Sequence, residues 1–237
     1  MPVLSFANAK GGAGKTTAAL LVATDLMDQG YSVSIVDADP QRWISQWAAM
    51  SGPQRRLAII DEVSAGSIDS VIREERDNRD YILVDLEGAM SPLVSRVVSA
   101  SDLVLVPIQG CAMDAKGGGK VLDLIADLQR EEHRTIRHSV ILTRINAAVT
   151  TRALRAVRDH LLANRIDVLT TPIVERSVSR DIFETGGSLF TLDPKTASNL
   201  DKAIDNVRRR TTEIITRVPA RRRKPLSWPT RAWLQAA

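Results

Sequence analysis

Residues 10–17 read Lys-Gly-Gly-Ala-Gly-Lys-Thr-Thr, and those residue types at that spacing suit one task, holding a polyphosphate. Gly11, Gly12 and Gly14 let the backbone curl tightly enough to aim successive N–H groups at phosphate oxygens. Lys15 can reach the β- and γ-phosphates, and the Thr16 hydroxyl can ligate Mg²⁺. The stretch follows the apolar run 3–9 and leads into the helical run 18–27, so the positive end of a helix dipole faces the same phosphates. A strand before and a helix after distinguish a phosphate-binding loop from a merely Gly-rich turn. Residues 10–17, Ala13 and Thr17 included, are therefore expected to bind a nucleoside triphosphate.

Carboxylates follow at two further strand ends. Residues 31–36 alternate and then turn apolar before Asp37-Ala38-Asp39-Pro40-Gln41. Residues 81–85, Tyr-Ile-Leu-Val-Asp, read as a buried parallel strand closing on Asp85. Acids placed so, beside phosphate and Mg²⁺, are where an open α/β sheet puts its chemistry. Asp85 is expected to hold Mg²⁺ through water. Either Asp37 or Asp39 could instead cap the next helix, since Asp and Pro both favour helix starts.

Lys10, ahead of the first glycine, resembles the deviant Walker A loop of the ParA/MinD ATPases, and Asp37–Gln41 resembles that family's Asp-x-Asp-Pro-Gln stretch. The resemblance implies ATP and Mg²⁺ as cofactors and an ATP-dependent homodimer. In such a dimer Lys10 reaches the partner subunit's nucleotide, a cation placed where phosphoryl transfer develops negative charge. A plain solvated lysine is the alternative for Lys10. Lys10, Lys15 and Asp39 become the catalytic residues, Asp39 positioning the attacking water. Thr16, Asp37 and Asp85 become the metal residues. Slow hydrolysis, stimulated by a ParB-like protein or cargo adaptor, is implied as well. The chain departs from the family at Leu86-Glu87-Gly88, where a Pro-containing turn is usual, and resembles it again over residues 91–109. Residues 172–191 resemble the ParA region with arginines near the nucleotide. Their Arg-Asp-x-Phe and late glycine are similar to the VirC-type branch.

Positioning these groups requires a layered sheet. Strand-like runs at 3–7, 33–36, 57–60, 82–85, 103–107, 140–143 and 168–171 alternate with helix-like segments, clearest at 16–27, 113–132, 150–164 and 196–217. That order predicts a doubly wound, mostly parallel α/β fold with helices on both faces. Residues 1–217 are expected to form the ATPase domain and residues 218–237 a basic tail. Lys116-Gly117-Gly118-Gly119-Lys120 looks phosphate-binding but lacks the upstream glycine, and reads as a flexible loop or helix start.

At 237 residues and 44% hydrophobic content the chain can fill one large domain. Cys111 is the single cysteine, which disfavours disulfide frameworks and the iron–sulfur and arsenite-pump relatives that share the deviant loop. The absence of an apolar leader or membrane-length run predicts a cytoplasmic protein with no membrane span. Residues 205–237 carry nine Lys/Arg against two acids, a net +7, which leaves −3 for residues 1–204 of a chain whose net charge is +4. A basic end on an acidic core suggests non-specific double-stranded DNA, hence nucleoid association, through Arg208, Arg209, Arg210, Arg217, Arg221, Arg222, Arg223 and Lys224. Arg210 and Arg217, seven apart on one helix, are expected to share an outward face.

The function expected is a nucleotide switch that partitions or positions DNA or another cargo. A MinD-like membrane-associated ATPase is one alternative, although Pro225 and Pro229 interrupt the helix it would need. A small-molecule ligase on the same fold is the other.

Overall fold

The structure, a computed structural model, describes residues 1–110, 112–146, 149, 151–195 and 197–220, with the side chains of 112–114 left aside. Six strands form one sheet: β1 (Val3–Phe6), β2 (Val33–Ala38), β3 (Leu57–Ile60), β4 (Tyr81–Leu86), β5 (Leu103–Gln109) and β6 (His138–Thr143). All neighbours pair in parallel, in the order β3-β2-β4-β1-β5-β6. The helices are α1 (Lys15–Asp28), α2 (Trp43–Ser51), α3 (Ile68–Asn78), α4 (Pro92–Ala100), α5 (Ala112–Glu131), α6 (Arg152–Ala163), α7 (Val178–Thr185) and α8 (Leu200–Arg217).

The strands are apolar on both sides because helices cover both faces. Leu4, Phe6, Ile35 and Leu83 point into one core with α1, α2, α7 and α8. Val3, Val36, Ile82 and Val84 point into the other with α3, α4, α5 and α6. The alternation is the period-2 side-chain pattern of a strand. Helix α1 lies between the sheet and α8, so Ala18 to Leu26 is buried all round. The crossovers from β1 and from β4 run to opposite sides of β1, which opens a crevice beyond its carboxyl end.

Three expectations change. The run 168–171 does not form a seventh strand: Val168 makes an isolated bridge to Val140, and the amides of Thr170 and Thr171 turn to the Glu213 carboxylate of α8 at 2.7 and 3.1 Å. The last helix starts at Leu200, behind Asn199 at φ 55, rather than at 196. The Lys116–Lys120 stretch lies inside α5, neither a loop nor a helix start.

Candidate nucleotide site

The phosphate loop leaves β1 and enters α1 through Gly12 and Gly14, at φ 77 and 95, conformations that suit glycine alone. Polar side chains from the segment after β1 and from the ends of β5 and β6 hold its outer rim. Asn8, buried, donates from Nδ2 to the Pro107 carbonyl at 2.6 Å and accepts from the Lys10 amide at 2.9 Å. Gln109 donates to the Gly12 carbonyl at 2.5 Å and Thr143 to the Ala13 carbonyl at 2.8 Å. With those carbonyls drawn outward, the loop N–H groups are left to an anion in the crevice.

Lys15 opens α1, is only 4% exposed, and donates from Nζ to the Lys10 carbonyl at 3.3 Å. Burial pushes its ammonium pKa down, and the carboxylates of Asp85, Asp39 and Glu87 work against that. An ammonium so placed is held ready for phosphate.

Asp85, next to last in β4, stands beside Asp37 of β2, its partner in register. Burial drives the Asp85 carboxyl up to about 7, with Asp37 and Asp39 adding to the rise and the Thr16 hydroxyl and Lys15 opposing it. Asp37 is also raised by burial, although the Ser45 amide and hydroxyl donate to its Oδ2 at 2.8 and 2.7 Å. Asp37 therefore pins the first turn of α2, the helix-start role that the sequence leaves open for one of the two acids. Asp39 is half-buried and accepts from the Gln41 amide at 2.9 Å.

Both oxygens of Asp85 and Oδ1 of Asp37 are buried without a hydrogen bond, a costly arrangement unless something else meets them. A hydrated Mg²⁺ answers that need: it keeps several waters and takes few protein ligands. Among the described residues no cluster of three or more His, Cys, Asp or Glu side chains could cage a metal. The residues present fit Mg²⁺: Thr16 would ligate it beside the nucleotide, and Asp85 and Asp37 would hold its waters.

Beside Gly14 and Thr17 a cleft of about 250 Å³ extends between β6 and α7, lined by Arg144, Ile173, Arg176, Arg180, Phe183 and others. The resemblance points to arginines of 172–191 near the nucleotide but not to Arg144, Phe183 and Gln109, which distant segments bring to the loop, nor to Asn8, whose role depends on the Pro107 carbonyl of β5.

The expected DNA stripe on α8 does not stand as drawn. Arg210 is 0% exposed, packed with Val207, Thr211 and Ile214 on the buried face, and cannot meet a phosphate. Arg208 pairs with Asp25 at 2.9 Å and with Asp28, and lies 4.8 Å from the Phe190 ring centre. Arg217 pairs with Asp167 and Glu213 at 3.2 and 3.4 Å. Arg209 is exposed and reaches Asp205 at 3.0 Å. Arg221, Arg222, Arg223 and Lys224 lie outside the described residues. No helix among the described residues is long and apolar enough to cross a membrane.

The family model of the VirC1 protein matches residues 1–220. The chain is 34% identical over 206 residues to Protein ParA of Rhizobium radiobacter, covering 87% of this chain and 92% of that one. It is 28% identical to Protein virC1 of Rhizobium rhizogenes, covering 81% and 84%. Among solved structures, a chain of the MinC:MinD cell division protein complex of Aquifex aeolicus superposes with a TM-score of 0.70 over 96% of this chain and 99% of that one, at 17% identity.

Proposed function

Since the chain belongs to the VirC1 family and is a ParA-like P-loop ATPase, we propose that it is a nucleotide switch: ATP and Mg²⁺ close a homodimer that binds double-stranded DNA without sequence preference, and hydrolysis, stimulated by a partner protein, releases it. The observation that carries this reading is the convergence of Lys10, Lys15, Asp37, Asp39 and Asp85 at the carboxyl ends of β1, β2 and β4.

Each residue has a task in it. The loop amides and Lys15 bind the phosphates, and Lys15 neutralises charge on the β/γ oxygens. Asp39 accepts a hydrogen bond from the attacking water and aims it at the γ-phosphorus. Lys10 acts at the partner subunit's nucleotide, supplying charge only when the dimer is closed. Mg²⁺, held as described above, neutralises the phosphate oxygens. Slow turnover suits a switch that must persist long enough to be read.

The DNA part of the reading moves from α8 to other arginines. Arg152, Arg155 and Arg158 are exposed along α6, and Lys116 and Lys120 along α5, without an ion pair among the described residues. One acid, Asp159, is exposed beside them on α6. Unpaired arginines on a helix suit phosphate contacts that ignore sequence. The role that follows is partition or positioning of DNA or of a cargo carried on it, in the cytoplasm at the nucleoid. Residues 1–217 serve as the ATPase unit and 218–237 as a basic tail.

Phosphate release and light scattering, with and without ATP·Mg²⁺ and duplex DNA, test this. Expected are slow hydrolysis, an ATP-dependent dimer, and DNA binding that is tighter with ATP than with ADP. Rapid turnover driven by a small carboxylic acid, or equal DNA affinity in both nucleotide states, would overturn it.

A further inference from the structure

Two glycines from separate elements press on Lys10 from either side, one with Asn8 and the other with Gly11. Gly117 of α5 stands so close that a Cβ there would lie 2.4 Å from Asn8 Oδ1 and 2.9 Å from Lys10 Cβ. Gly88, three residues past Asp85, would place a Cβ 2.7 Å from the Gly11 nitrogen, 2.9 Å from Gly11 Cα and 3.0 Å from the Lys10 carbonyl carbon. Neither glycine has a positive φ, so the backbone at both positions admits alanine and only space forbids it. Gly119, two residues along α5, has nothing within 4 Å of its Cβ position. Gly118 between them is crowded by Ile108 of β5, 2.4 Å from its Cβ position, so within this run Gly117 alone bears on Lys10.

We propose that Gly88 and Gly117 are positioning residues for Lys10: they clamp the Lys10–Gly11 peptide between α5 and the loop after Asp85, and so link the metal-facing end of β4 to the reach of Lys10. Three bonds complete the clamp. Asn8 holds the Lys10 amide, Lys15 holds the Lys10 carbonyl, and the Ala9 amide donates to the Gly117 carbonyl at 3.3 Å. The Lys10 backbone is thus fixed from the β1 side, from α1, from α5 and from the Glu87–Gly88 loop. Ala89 and Met90 beyond it are exposed, but an inward shift of that loop meets Gly11 and Lys10 at once. Loading of the Asp85 end changes the loop that follows it, and Gly88 delivers that change to the residue that acts across the dimer. The departure from the family at Leu86-Glu87-Gly88 puts a glycine where the contact is made.

An alanine at 117 must push Asn8 and Lys10 back by roughly 1 Å to regain van der Waals distance. A misplacement of that size costs about 100-fold in a step that depends on geometry. The inference rests on the reading that Lys10 acts at the phosphates, and the experiment separates the two. ATP affinity, ATP-dependent dimerisation and phosphate release are measured for Gly88→Ala, Gly117→Ala, Gly119→Ala and Lys10→Ala, and for Lys10→Ala combined with each of the first two.

Expected are ATP affinities within about twofold of wild type, consistent with an intact Lys15 and α1 terminus. Dimerisation and hydrolysis should fall about 100-fold in Gly88→Ala and Gly117→Ala, and stay at wild type in Gly119→Ala. Each double variant should match Lys10→Ala alone, because a positioning residue has no effect once its object is gone. Additive losses, or wild-type behaviour of both glycine variants, overturn the clamp. An inert Lys10→Ala beside impaired glycine variants also overturns it, and removes the role given to Lys10. Hydrogen exchange on the wild-type protein covers the case of a variant that does not fold. Peptides spanning 8–12, 86–90 and 115–120 should gain protection together on adding ATP·Mg²⁺, and protection of 8–12 without 86–90 refutes the link.

Discussion

Asp37 and Asp85 are register partners on adjacent parallel strands, with Phe6 of β1 on the other side of Asp85. Two acids held side by side in a buried position repel each other and disfavour charge, so they suit a site completed by a cation. Asp85→Asn removes one charge without changing shape. It should leave the empty protein at least as stable as wild type, yet abolish the part of the ATP-induced rise in Tm that depends on Mg²⁺, since ligand stabilisation follows binding to the native state. A thermal-shift series with ATP, with and without Mg²⁺, checks this. An unchanged Mg²⁺-dependent rise would remove Asp85 from the metal site.

The two lysines and Asp39 should separate by assay. Lys15→Gln loses ATP binding, because the loop loses its cation at the β/γ-phosphates. Asp39→Ala binds ATP and accumulates as dimer without hydrolysis, because only the placement of water is lost. Lys10→Ala binds ATP but dimerises or hydrolyses poorly. Nucleotide titration and light scattering with ATP·Mg²⁺ read the three outcomes, and identical behaviour of Asp39→Ala and Lys10→Ala contradicts the assignment.

Arg210 is buried with Nε and Nη2 lacking hydrogen bonds, and burial lowers its pKa to about 10, opposed by Asp25. Replacing such a charge by an apolar side chain of similar volume is often neutral or stabilising, whereas removing the counter-charge is not. Arg210→Met is therefore expected to keep or raise Tm and to leave DNA affinity unchanged. Asp25→Ala, which removes the acid facing Arg210 and leaves Arg208 with Asp28 alone, should cost about 3–5 kcal/mol in urea unfolding. A drop in DNA affinity in Arg210→Met at unchanged Tm would restore the surface stripe on α8.

Phosphate contacts by α6 have a signature in salt. Alanine at Arg152, Arg155 and Arg158 together should weaken DNA binding equally for all sequences and lower the slope of log affinity against log salt by about 2.7 for each protomer on the DNA, at about 0.9 per contact. A salt titration in the ATP state measures it. An unchanged slope would place the DNA elsewhere.

Glu213 ties the 170–171 segment to α8. Burial raises its pKa, but the Thr170 and Thr171 donors and Arg217 outweigh that and hold it below its ordinary value of 4.5. A carboxylate depressed in the native state contributes stability that is present above its unfolded pKa and lost as pH falls through the native one. Tm should thus decline on acidification below about pH 4.5. Glu213→Gln should show a lower Tm at neutral pH and a shallower decline in that window. A parallel decline in both proteins would refute the contribution.

The phosphate loop and its flanks were legible in residues 1–28 because every contact that shapes them locally lies within a few positions: two left-handed glycines, a helix start, and an apolar strand before them. Asp37, Asp39 and Asp85 were legible for a related reason, since an apolar run closing on an acid marks the carboxyl end of a buried strand. Arg210 and the glycines of α5 were not read correctly, for a different one. A seven-residue spacing says that Arg210 and Arg217 share a side of α8, but not which side meets α1. Leu200, Ala203, Val207 and Ile214 trace the buried stripe, and Arg210 sits within it. Gly117 looked like loop material because nothing near it in sequence crowds it. Its constraint comes from Asn8 and Lys10, more than a hundred residues away, and appears only when α5 is laid against β5, beside the segment that leaves β1. Local conformation follows from neighbours along the chain, whereas burial and close approach follow from where the sheet puts distant segments.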